Sequence, residues 1–191
     1  KGHLAIVKWL VEEKKADREL GTSNEGQTPL HWASISGHIH IAHYLVEKEG
    51  CSIALCDRRG YNALHHAVQH NKLHMALYAL GRPGASAAHV DSRDLEGHTP
   101  LHWAAYMGFD EMVMFLLGQG AAISAPDSNG RTALHWACAR GNFGSAKLLL
   151  KYGADQQSKT DEGDTPAALA TKKGHMTIVS LLERTAKWPI T

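Results

Sequence analysis

Cysteine is scarce in this chain of 191 residues. Cys51, Cys56 and Cys138 are the full set. An odd count without paired spacing excludes a disulfide framework and fits a reducing, cytoplasmic compartment. An excess of one charge is also absent, because 20 basic and 19 acidic side chains leave a formal charge of +1. No pull toward nucleic acid or an anionic membrane surface follows from that balance. No apolar run approaches the roughly 18 residues of a membrane helix, and no signal-peptide pattern opens the sequence. Catalytic motifs are missing as well. There is no Gly-x-Ser-x-Gly elbow, no phosphate loop, no His-Glu-x-x-His and no paired carboxylate cluster. Nothing supports a catalytic residue or a cofactor.

What is abundant is one phrase. QTPLHWAS stands at 27–34, YNALHHAV at 61–68, HTPLHWAA at 98–105 and RTALHWAC at 131–138, with a decayed copy, DTPAALAT, at 164–171. The Thr-like positions are Thr28, Asn62, Thr99, Thr132 and Thr165. A period near 33 with T-P-L-H-x-A resembles the ankyrin repeat. The fold class expected is therefore all-α, a solenoid of paired helices joined by β-turn or hairpin loops, in a single domain over 1–191. Repeat boundaries fall at 22–55, 56–92, 93–125, 126–158 and 159–186, after a partial repeat at 1–21 and before a linker at 187–191 that carries Trp188 and Pro189.

Each repeat has the same order of parts. A turn comes first: SNEG, DRRG, DLEG, DSNG and TDEG. Its first side chain can bond the turn backbone, and its Gly tolerates positive φ. Thr or Asn then caps a helix, and Pro29, Pro100 and Pro166 take the first helical position. That helix buries Leu30, Leu64, Leu101 or Leu134 and stops at Gly37, Asn71, Gly108, Gly141 or Gly174. A second helix follows, with Val113, Leu116 and Leu117, or Ala146, Leu149 and Leu150, at helical spacing. Lys15 stands where other repeats place Gly. GRPGASAAHVDSRD at 81–94 holds extra residues and predicts a longer loop.

Histidine, with fourteen copies, invites a metal reading. His31, His65, His102 and His135 occur one per repeat, too far apart to converge on one ion. They are expected to bridge backbone groups of neighbouring repeats. His66 and His70 share a helix face, but spacing shows no third ligand, so no metal site is assigned. A pH-sensitive patch fits better.

Trp32, Trp103 and Trp136 occupy one repeat position, with His66 and Leu169 in the other two. In ankyrin arrays this position borders a concave groove. A large residue there fills the seam between repeats or meets a protein partner. Four residues further on stand Ser36, His70, Met107 and Arg140. Trp32, Ser36, His66, His70, Trp103, Met107, Trp136 and Arg140 are the candidate groove residues. A stacked aromatic row also suits single-stranded nucleic acid, which the balanced charge disfavours.

GHTPLHWAAYMGF at 97–109, TALHWACARGN at 132–142 and DTPAALATKKGH at 164–175 resemble a narrower family, the ankyrin-bearing DHHC protein S-acyltransferases (palmitoyltransferases). The resemblance implies a cytosolic array on the Golgi or another internal membrane. It implies recruitment of extended, Pro-containing protein segments, with the catalytic DHHC motif elsewhere in the parent chain. It also implies peptide contact by a Trp of LHW paired with an Asn from the preceding repeat. The matching pairs are Ser36 with His66, His70 with Trp103 and Met107 with Trp136, and none carries the Asn. The other function expected of such a solenoid is that of a signalling or cytoskeletal adaptor.

Overall fold

The computed structural model describes residues 2–17, 19–21, 24–81 and 90–187. Ser23, the insertion at 82–89 and the tail at 188–191 lie outside the described residues. The chain divides into two compact units, Lys1–His89 and Val90–Thr191. Among the described residues there are eleven helices and no strand.

The first unit holds α1 (Leu4–Glu12), α2 (Pro29–Ser36), α3 (Ile39–Glu47), α4 (Ala63–Gln69) and α5 (Leu73–Leu80). α2 packs on α4, and α3 lies between α1 and α5. The second unit holds α6 (Pro100–Met107), α7 (Asp110–Gly118), α8 (Ala133–Arg140), α9 (Phe143–Lys151), α10 (Pro166–Lys172) and α11 (Met176–Lys187). Its first helices α6, α8 and α10 pack in file, and α7, α9 and α11 form a second file behind them.

These helices have 7–12 residues, too short to persist alone in water. Their ends are therefore specified locally and their faces are buried on neighbours. Thr28, Asn62, Thr99, Thr132 and Thr165 are the N-caps of α2, α4, α6, α8 and α10. The chain leaves these helices through left-handed residues: Gly37, Asn71, Gly108, Gly141 and Gly174 have φ between 52° and 80°. Asn is the one non-Gly residue in that series and the type that best tolerates it. Lys15 also has φ 52°, so it adopts the conformation that Gly50, Gly120 and Gly153 take in later repeats.

The core is narrow and continuous within each unit. Leu30, Leu64, Leu101 and Leu134 are buried, as are Ala33, Ala67, Ala104, Ala105 and Ala137. The alanines let successive first helices approach closely. Leu117 and Leu150 are only half-buried, and Met112 and Ser145 take fully buried places on the second file instead.

Candidate functional site

Each TPLH histidine is fixed at both ring nitrogens where both contacts are described. The backbone N–H of Thr28, Thr99 and Thr132 donates to Nδ1 of His31, His102 and His135 at 3.0–3.1 Å. Nδ1 therefore accepts and the proton sits on Nε2. Nε2–H then donates forward, from His31 to the Leu55 carbonyl at 2.9 Å, from His102 to Arg131 at 2.9 Å and from His135 to Asp164 at 3.2 Å. In the second unit these bonds tie each repeat to the next. His65 keeps the capping half of the pattern, with Asn62 N–H donating to its Nδ1 at 3.4 Å.

A second set of bonds joins the residue after the motif histidine to the turn. Trp103 Nε1 donates to Asp94 Oδ2 at 3.0 Å, and Trp136 Nε1 donates to Asp127 Oδ2 at 2.9 Å. His66 does the same with Nε2, donating to Asp57 Oδ2 at 3.0 Å. The other oxygen of each Asp accepts two backbone N–H groups of its own turn. In the last repeat the turn begins with Thr160 and the ring position holds Leu169, so donor and acceptor are both gone. This pairing was not read from the sequence. Its signal is there in the four later repeats, where Asp goes with Trp or His and Thr goes with Leu, nine residues apart, whereas Ser23 precedes Trp32.

His98 links two of these pairs. Its Nδ1 lies 3.0 Å from Asp94 Oδ2 and its Nε2 lies 3.6 Å from Asp127 Oδ2. Burial works against its charged form, but the bond to Asp94 and the charges of Asp94, Asp127 and Glu96 carry its pKa above the usual value. Burial works to raise the Asp94 carboxyl, yet bonds from the His98 ring, the His98 backbone and the Trp103 indole hold it below the usual range.

The candidate groove residues differ in accessibility. Trp32 is 47% exposed, and Ser36, His70, Met107 and Arg140 are exposed. Trp103 and Trp136 are half-buried. His66 is buried against Asp57. Arg140 stands over the Tyr106 ring at 4.5 Å. His70 turns Nδ1 to the His66 carbonyl at 3.1 Å while His66 turns Nε2 to Asp57, so the two rings do not converge on a common point. Among the described residues no group of three metal-ligating side chains comes together. Cys138 is buried with its thiol pushed up to about 12, and burial also raises Cys56, so neither is poised as a thiolate.

The neutral histidines predict an acid-labile fold. Burial, against the pull of the Arg131 carbonyl, pushes His102 down to about 4. Burial and then the charge of His31 push His66 to about 4. His31 and His135 shift the same way, also through burial. A histidine whose folded pKa is depressed contributes stability that is complete above about 6.5 and is lost as pH falls toward 4. His102 and His66 should each account for about 3 kcal/mol over that window. His98 opposes them, because its raised pKa gives stability below 6.5 that is lost as pH rises. One ring does not offset four. Urea midpoints measured from pH 7.5 to 4.5 should fall steeply below 6.5, and a flat profile would contradict the neutral assignments.

The ankyrin-repeat family model matches residues 1–88, 42–127 and 80–160. Two curated proteins are similar. The palmitoyltransferase AKR1 of Lachancea kluyveri is 34% identical over 122 residues, covering 64% of this chain and 16% of that protein. The palmitoyltransferase AKR1 of Naumovozyma castellii is 37% identical over 158 residues, covering 64% of this chain and 20% of that protein. The chain thus spans a fifth or less of the length of these relatives.

Proposed function

Because the chain belongs to the ankyrin-repeat family, a family of protein-interaction modules, we propose that it binds extended protein segments on the face formed by its first helices. We further propose that it does so as the non-catalytic, cytosolic recruiting array of a protein S-acyltransferase. The observation that carries the binding reading is the ring row. Large rings follow the motif histidine in four repeats, and Trp32 leaves 47% of its surface open beside a cavity of about 270 Å³. Aromatic side chains with open faces supply most of the binding energy at protein interfaces. The acyltransferase part rests on the two relatives and on the motif order at 97–175. No helix among the described residues is long and apolar enough to cross a membrane.

The test is a peptide array of extended, Pro-containing segments probed with this chain and with Trp32→Ala. Binding should weaken by about 2 kcal/mol, near 30-fold, in the variant. Trp32 is the right choice because its ring is the most accessible of the four. Equal binding by both proteins would remove the ring row as the contact surface.

A further inference from the structure

Consecutive turns are tied through the backbone at three junctions. Arg58 N–H donates to the Glu25 carbonyl at 2.9 Å, Ser128 N–H to Glu96 at 3.0 Å and Asp161 N–H to Asn129 at 3.1 Å. Two residues after each of these carbonyls, just before the capping Thr, stand Gln27, His98 and Arg131. The first is uncharged, the second titrates near neutrality and the third is always a cation. The junctions thus share one bond and differ in one charge.

His98 is 4% exposed. With Tyr106 it enters the seam between Trp103 and Trp136, where ring centroids stand 5.1–5.8 Å apart in edge-on contacts. About 10 Å³ is left, which is at the lower limit for one water. The seam is shut, so solvent screens the ring poorly. In the first unit Gln27 and Ile35 take those two places, and the seam beside Trp32 stays open with about 270 Å³ of free volume. His98 Nδ1 lies 3.0 Å from Asp94 of its own turn, and Nε2 lies 3.6 Å from Asp127 of the next. Both carboxylates are buried. The first distance is a hydrogen bond, whereas the second is too long for one and acts through charge. Among the described residues, the other charged or titratable groups around the ring are Glu96, His102 and Arg131. Glu96 is 3.9 Å away on the same turn, the His102 ring centroid is 6.2 Å away on α6, and Arg131 stands over Trp136.

We propose that His98 is a proton-operated clasp between two consecutive turns, 94–97 and 127–130. With its proton, the imidazolium holds both carboxylates at once. A neutral imidazole has a single N–H. That N–H belongs on Nδ1, where Asp94 is within bonding distance, and Nε2 then turns a lone pair toward the Asp127 carboxylate. The ring stays with its own turn and releases the next. Burial works against the proton, but the Asp94 bond and the charges of Asp94, Asp127 and Glu96 carry the His98 pKa above the usual value. The clasp is therefore complete below about 6.5 and is lost as pH rises through the folded value. Its direction is opposite to that of His102, and it does not depend on what the groove binds.

The experiment is amide hydrogen exchange followed by NMR on the whole chain from pH 6.5 to 9, with rates corrected for their intrinsic pH dependence. Protection of the Ser128 amide should fall about fivefold over that range, the scale of one ion pair. The fall should share its midpoint with the titration of the His98 ring signals. Protection of Arg58 and Asp161, at the junctions with Gln27 and Arg131, should stay level. His98→Gln, which copies the first junction, should hold Ser128 at the low value at every pH. Circular dichroism verifies that the variant folds, and the unaltered chain decides the matter if it does not. Ser128 protection that runs parallel to Arg58 and Asp161 would overturn the inference, as would a pH-dependent Ser128 in His98→Gln.

Discussion

Replacing Leu101 with Ala should destabilise the second unit by about 2–5 kcal/mol, among the largest losses a single truncation can give here. Leu101 sits on α6 with no exposed surface. Its neighbours on the same helix, Ala104 and Ala105, are already small and fully buried, so they cannot swing in to fill the void. A repeat stack also has only one layer behind each first helix, and every helix is too short to hold its shape without that layer. Urea unfolding monitored by far-UV circular dichroism is the measurement. Leu95→Ala is the control, because Leu95 is 75% exposed at a turn tip and its loss should leave the midpoint where it was. A Leu101→Ala protein that unfolds like the parent would mean that the repeat register is wrong.

Asp94→Ala should cost as much through a different cause, about 3–5 kcal/mol. Asp94 accepts the backbone N–H of Glu96 and His98 on one oxygen, and the Trp103 indole and the His98 ring on the other. Removing it takes the nearest carboxylate from the buried His98 ring, leaving Asp127 at 3.6 Å and Glu96 at 3.9 Å, and takes the Asp94 acceptor from the Trp103 indole N–H. The last repeat indicates how the loss can be repaired. There Thr160 opens the turn, its hydroxyl oxygen accepts the Asp164 N–H at 3.1 Å, and Leu169 makes no polar demand. Asp94→Thr combined with Trp103→Leu should therefore be markedly more stable than the sum of the two single losses. A double-mutant cycle measures that coupling. Strict additivity would show that the two residues are neighbours without being partners.

The fold was legible because its instructions are short. A Thr cap, a Pro at the first helical position and a left-handed stop lie within ten residues of one another and recur in register. Even the exceptions could be placed. Lys15 and Asn71 stand where the pattern calls for Gly, and both adopt positive φ. The candidate site was legible only in part. The ring column of Trp32, His66, Trp103 and Trp136 is plain in the sequence, but its bonds to Asp57, Asp94 and Asp127 join two columns usually read apart. Whether a seam is open or shut could not be read from any single repeat. It depends on Tyr106 and His98 of one repeat meeting Trp136 of the next, a contact between side chains 30 or more positions apart.

The bonds from the motif histidines all run one way. His102 gives its proton to the following repeat, at Arg131, and His135 gives its own to Asp164. Adhesion between neighbours thus has a polarity, and so does injury. If the His102 ring is lost, the Thr99 N–H loses its acceptor in the same helix cap, and the Arg131 carbonyl of the next repeat is left with the Asp127 N–H of its own turn. Besides its own helix cap, the repeat that such a change reaches is the one downstream, because the tie between the two goes with the ring.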